Sequence, residues 1–253
     1  MSVSVIVITR NSEAIIRRCL ESASWADEIV VVEHGSTDRT AEICRELGAK
    51  VHQTPDWPGY GRQKNRALDL ASGDWVLSLD SDEWITPELR AEIERVIAAP
   101  GEKVAFAMPR RSSFCGRFMR HSGWWPDYVN RLFRRGSARF SEDHVHERLI
   151  VSGLRGRLRQ HVMHEAVTDL DQMLTKMNVY STTSAQMFHQ RGRRASIATA
   201  LLHGGWAFTR TYFLRAGFLD GREGLMLAIA NAEGAYYRYL KLMLLSDKAA
   251  NRE

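Results

Sequence analysis

A chain of 253 residues, 44% of them hydrophobic, is long enough to bury one full core and leaves little room for a second independent domain. The 35 Lys+Arg against 30 Asp+Glu give a pI near 9.3, an excess that suits nucleic acid, anionic lipid or a phosphorylated acceptor. No recognition-helix, zinc-finger or RNP-type pattern accompanies the arginines, so nucleic acid is excluded as a partner.

Val3 to Ile8 is a β-rich run that stops at Thr9-Arg10-Asn11-Ser12, where Ser12 is placed to cap a helix carrying Ile15, Ile16, Cys19 and Leu20 on one side. Glu28 to Val32 is a second strand, ending in Glu33-His34-Gly35-Ser36-Thr37-Asp38. A helix from about Thr40 to Leu47 follows, with Gly48 where a left-handed cap is wanted. Lys50 to Gln53 reads as a short strand, Gln63 to Ala71 as a helix ended by Gly73, and Trp75 to Leu79 as the strand that delivers Asp80. Strands alternating with helices and lacking hairpin signals predict an α/β fold on a parallel sheet, with ligands at the carboxyl ends of its strands. Thr9, Glu33, Asp38, Asp80 and Asp82 all fall at such ends.

Asp80 and Asp82 point the same way, as residues i and i+2 at a strand end do, and can grip one hard cation such as Mg²⁺ or Mn²⁺, which in turn holds a diphosphate. The bland alternative is an acidic loop that keeps a strand end soluble. A calcium loop fails, because Ile85 stands where its glycine should be.

Thr86-Pro87 opens a helix from Glu88 to Ala98, and Val104 to Met108 is another strand. A mixed region runs from Pro109 to Val151. In it, Trp124 and Trp125 either stack on a sugar or fill the core, and Arg131 and Arg134 either contact the acceptor or form a solvated face. Glu142, Asp143, His146 and Glu147 make a second carboxylate cluster. His164 ends a strand and either approaches the cation and diphosphate or packs as an ordinary histidine; zinc is not expected, since no cysteine accompanies the histidines. Cys19, Cys44 and Cys115 are an odd number without paired spacing, and no basic-then-apolar leader opens the chain, so a cytoplasmic, reducing location is expected.

From about Asp169 the chain reads as helical, dividing it into a catalytic region at 1–165 and a helical extension at 166–253. Aromatic and apolar residues from Leu201 to Phe218 are interrupted by Arg210 and Arg215, too often for a spanning helix. Such a segment lies on an anionic inner-membrane surface, packs as a helical cap, or forms a homodimer contact.

Ser4-Val5-Ile6-Val7, Glu33 to Thr40, Gln63 to Leu68 and Leu79-Asp80-Ser81-Asp82-Glu83 resemble the segments of family 2 glycosyltransferases, in that family's order. Pro126-Asp127-Tyr128, Arg131 to Arg135, Val145-His146-Glu147 and Gly217 to Gly221 are similar to its lipopolysaccharide-core branch. The chain departs from the pattern at Glu33, where Asp is usual, and at His34. The resemblance implies a GT-A fold, a Rossmann-like mixed sheet flanked by helices, and an inverting enzyme. It would move a hexose, glucose foremost, from a nucleotide diphosphate sugar such as UDP-glucose to the heptose region of a lipopolysaccharide core or another lipid-linked glycan. It implies that Thr9, Glu33 and Asp38 hold the nucleoside, Asp80 and Asp82 the cation, and Lys64 or Asn65 the phosphate side. The general base that inversion needs would be Asp143 ahead of Glu147. Two rivals are a haloacid-dehalogenase-type phosphotransferase, which wants Thr or Val where Trp84 stands, and a non-catalytic membrane-surface adaptor, which leaves the acidic strand ends without purpose.

Overall fold

The computed structural model describes residues 1–142 and 147–250. The chain forms two compact units, Met1–Arg110 with Asp127–His164, and Arg111–Pro126 with Glu165–Glu253.

In chain order, the elements up to Val167 are β1 (Val3–Thr9), α1 (Ile16–Ser22), β2 (Glu28–Glu33), α2 (Thr40–Glu46), β3 (Lys50–Gln53), α3 (Tyr60–Leu70), β4 (Trp75–Asp80), β5 (Glu83–Ile85), α4 (Pro87–Ala98), β6 (Lys103–Phe114), β7 (Arg117–Phe118), β8 (Asp127–Arg134), β9 (Ala138–Phe140), β10 (Leu149–Val151), β11 (Leu154–Arg157) and β12 (Val162–Val167). The main sheet runs β3-β2-β1-β4-β8-β6-β12-β5. Its first four strands are parallel, whereas β8 is antiparallel to both β4 and β6, and β12 to β5.

Every residue of β1 is buried, which is why its sequence is a near-continuous apolar run. Period-two alternation divides that run between two cores. Val5 and Val7 pack on one face with Ile16, Leu20, Leu89 and Ile93. Ile6 and Ile8 pack on the other with Ala67, Phe133 and Phe140. Each such side chain contributes about 1.5–3 kcal/mol on leaving water. Register then sets the strand ends side by side: Thr9 pairs with Glu33, and Ile8 with Asp80.

Ser12 does not cap α1. Its carbonyl closes a turn by accepting from the amides of Ile15 and Ile16 at 3.0 and 2.9 Å, and its hydroxyl donates to the Arg10 carbonyl at 3.1 Å. That turn, entered through Asn11 at φ 47°, delays the helix to Ile16. Thr86 does cap α4, accepting from the Leu89 amide at 3.2 Å, and Gly48 takes the left-handed conformation at φ 77°. In α3, Gly61 is needed for close approach: a Cβ there would stand 1.8 Å from the Ser141 carbonyl oxygen.

The second unit holds β7, α5 (Leu170–Gln190), α6 (Ile197–Thr209), a π-helical turn Arg210–Leu214, a 3₁₀ turn Gly217–Asp220 and α7 (Gly221–Ala250). Asp169 and Ser196 cap α5 and α6, accepting from the Gln172 and Thr199 amides. Residues 111–126 join this unit because Phe114 and Met119 share a core with Val167 and Leu227. The buried Asp220 carboxylate fastens the same stretch, accepting from the amides of Arg120 and His121 at 3.1 and 2.9 Å and from the Ser122 hydroxyl at 3.2 Å. Among the described residues no helix is long and apolar enough to cross a membrane.

Candidate active site

Asp80 ends β4 and is held by two cations. Its Oδ1 lies 2.9 Å from Lys64 Nζ, and its Oδ2 accepts from Arg131 Nη2. Lys64 comes from α3 and Arg131 from β8, so the contact depends on a covering helix and a neighbouring strand both being in place. Burial alone would raise the Asp80 carboxyl, but the Arg131 and then the Lys64 charge outweigh it and hold it well below the usual carboxylate range.

Glu83 completes the frame from β5. Arg131 Nη2 also donates to Glu83 Oε1 at 2.6 Å, while Glu83 Oε2 accepts from the Asp80 amide at 3.0 Å. Arg110 stands 3.8 Å from Glu83 and pairs with Asp127 at 2.7 Å. Burial raises the Glu83 carboxyl; Arg131 opposes this and the Asp80 charge reinforces it. Lys64 Nζ also lies 3.0 Å from Glu147 Oε1, so one ammonium joins the strand-end acid to the second carboxylate cluster.

The neighbouring strand ends carry the remaining polar groups. Glu33 accepts from the Ser36 amide and, at 3.1 Å, from Gln53 Nε2, which fixes the turn after β2. Asp38 accepts from the Thr40 amide at 3.0 Å and hydroxyl at 2.6 Å, opening α2. Hydrogen bonds from Thr40, Glu13 and its own backbone hold Asp38 below the ordinary carboxylate range, against a desolvation that would raise it. Thr9 Oγ1 is buried and has no hydrogen-bond partner among the described residues, a cost of about 1–3 kcal/mol unless something meets it.

Asp82 and His164 lie 3.5 Å apart, from Asp82 Oδ2 to His164 Nε2. Among the described residues no group of three or more His, Cys, Asp or Glu gathers to hold a metal ion. The Asp82 carboxylate nonetheless fits Mg²⁺ or Mn²⁺, since Mg²⁺ is commonly held by one or two carboxylates and completes its shell with substrate phosphates and water.

Several expected residues stand elsewhere. Asn65 is committed to the backbone, donating to the Phe140 carbonyl and accepting from the Phe140 amide, both at 2.9 Å. Arg131 is buried on Asp80 and Glu83 rather than open to an acceptor. Arg134 pairs in register with Trp75, at the start of β4 and the end away from Asp80, with its guanidinium over the Trp75 ring. Trp124 and Trp125 belong to the second unit, where Trp124 packs edge-on against Phe114 at 5.9 Å. Asp143 and His146 lie outside the described residues. Glu83 and Arg110 escaped sequence reading, although Glu83 follows the Asp80-Ser81-Asp82 triplet directly.

A half-parallel sheet with acids and a buried lysine at its strand ends is the framework of the GT-A glycosyltransferases. S. aureus TarS, solved with UDP-GlcNAc, matches 98% of this chain and 92% of its own at a TM-score of 0.52 and 17% identity, a likeness of fold. The Glycosyl transferase family 2 profile matches residues 4–162, and the chain belongs to that family. It is similar to a glycosyltransferase of Rickettsia typhi, 31% identical over 98% of this chain and 89% of the relative. It is also similar to the lipopolysaccharide core biosynthesis glycosyltransferase LpsC of Rhizobium meliloti, 30% identical over 94% of this chain and 93% of the relative.

Proposed function

We propose that this glycosyltransferase moves a hexose, glucose foremost, with inversion from a uridine diphosphate sugar to the inner core of lipopolysaccharide or a similar lipid-linked glycan. The observation that carries the reading is the frame around Asp80, in which Lys64, Arg131 and Glu83 fix a carboxylate at the carboxyl end of a parallel strand. The likeness to LpsC along almost the whole of both chains supports the acceptor class.

The Thr9 hydroxyl, Glu33 and Asp38 line the nucleoside side, and Lys64 the phosphate side; Asn65 is oriented by its two hydrogen bonds to the Phe140 backbone. Asp80, Asp82 and His164 would hold the cation, which when bound supplies Lewis-acid stabilisation of the departing diphosphate. Asp143 takes the proton from the acceptor hydroxyl as its oxygen bonds to the anomeric carbon and the bond from that carbon to the diphosphate oxygen breaks. Glu147, engaged by Lys64, is the second candidate for that base.

A donor screen tests the reading. Purified protein with Mn²⁺ should hydrolyse a UDP-hexose faster than GDP or dTDP sugars, and chelation should stop it. Hydrolysis of none of them, or hydrolysis indifferent to chelator, would overturn it.

A further inference from the structure

Helix α6 contains no Asp, Glu, Lys or Arg in its thirteen residues. It meets α7 through Gly204, whose position for a Cβ lies 3.2 Å from the Ala232 carbonyl oxygen and 3.3 Å from Tyr236 Cβ. A helix so packed on one side should turn polar residues to the other. Here the opposite face carries Leu202, 74% exposed, and Trp206, 55% exposed, four residues apart. The π-helical turn continues the surface with Phe213 at 57% and Leu214 at 65%. Ring contacts make the aromatic part continuous: Phe213 lies 5.2 Å from Tyr212, and Tyr212 lies 6.3 Å from Phe218.

The charges along this surface have one sign. Between residues 191 and 215 the chain has arginines at 191, 193, 194, 210 and 215, all exposed, and no acid; beyond them Arg222 is paired with Glu223 at 2.5 Å, and Asp220 is buried on backbone amides. A two-fold contact between copies would set the same patch against itself and bring arginine against arginine. An anionic bilayer instead answers both features, taking the apolar side chains to the depth of the headgroups and the guanidiniums at the phosphates.

We propose that the surface formed by α6 and the turn after it is a membrane-docking face, seating the protein in the plane of a bilayer rich in anionic lipid. The proposal does not depend on which sugar is transferred.

Vesicle flotation tests it with the full chain. Binding is expected to vesicles of phosphatidylcholine with one third phosphatidylglycerol, to be weak on phosphatidylcholine alone, and to fall steeply between about 0.1 and 0.5 M salt. Arg194→Gln with Arg210→Gln should lower partition roughly twenty-five-fold, near five-fold for each charge. Leu202→Ser with Trp206→Ser should lower it at least ten-fold at unchanged helicity; should that pair fail to fold, the arginine pair carries the result. No binding to anionic vesicles, or binding indifferent to both pairs, would overturn the proposal. So would concentration-dependent self-association that Leu202→Ser with Trp206→Ser abolishes, since a second copy would then cover the face.

Discussion

Lys64 Nζ stands 2.9 Å from Asp80 Oδ1, joining a helix that covers the sheet to the end of one of its central strands. The pair is nearly closed to water on the lysine side, where only 5% of the side chain is exposed, and more open at Asp80, where 32% is. With Arg131 on Oδ2, positive charge already meets both oxygens of the acid before any ligand arrives.

Arg131 is the second cation on that acid, and its removal should be costly. Arg131→Met would leave Asp80 and the fully buried Glu83 facing each other with one balancing charge lost, destabilising the fold by about 3–5 kcal/mol. Arg131→Lys should recover part of this. Urea unfolding of the two variants checks the prediction, and wild-type stability in Arg131→Met would contradict it.

Asn65→Ala should behave as a structural lesion. It strands the buried Phe140 amide and carbonyl, at about 2–3 kcal/mol in all. Donor affinity in the folded fraction should match wild type. A loss of affinity at normal stability would show instead that the amide meets the donor.

Glu28 sets an acid limit on stability. Burial raises its carboxyl, but hydrogen bonds from Lys50, Ser4 and Ser72 prevail and hold it at about 2 against an ordinary 4.5. A carboxyl depressed in the folded state stabilises fully above its unfolded value and loses that stabilisation as pH falls from about 4.5 toward 2. The difference corresponds to roughly 3 kcal/mol. Glu28→Gln should lower stability at pH 7 and flatten the acid limb of a stability-against-pH curve; an unchanged limb would assign it to other acids.

The general base separates chemistry from binding. Asp143→Asn should lower kcat by ~10²–10⁴ with donor affinity retained, and Glu147→Gln should show the smaller loss. The reverse order would move the proton transfer to Glu147, and near-normal turnover in both would place the base elsewhere.

What was legible in the sequence is what local pattern encodes. β1, β2 and β4 announce themselves because parallel strands buried on both faces are continuous apolar runs, and the acids that end β2 and β4 stand out against those runs. Thr86-Pro87 signalled a helix start through capping chemistry, whereas Ser12 carried the same signal into a turn because Asn11 takes a left-handed conformation. Arg131 was misjudged for a different reason. A strand arginine looks solvated in any local window, and only the pairing of β8 beside β4 brings it to acids some fifty residues earlier. Trp124 likewise reads as either a sugar platform or core, and only the fold sets Phe114 edge-on against it.

The central claim is that these strand ends hold a nucleotide diphosphate through a cation at Asp82. Titration calorimetry of UDP, with and without Mn²⁺, on wild type and Asp82→Asn tests it most directly. Asp82 keeps 30% of its side chain exposed and meets His164 only at 3.5 Å, so the variant should melt as wild type does. Wild-type affinity should rise at least about ten-fold with Mn²⁺, and the variant should lose that gain. A folded Asp82→Asn protein with its metal-dependent affinity intact would contradict the account.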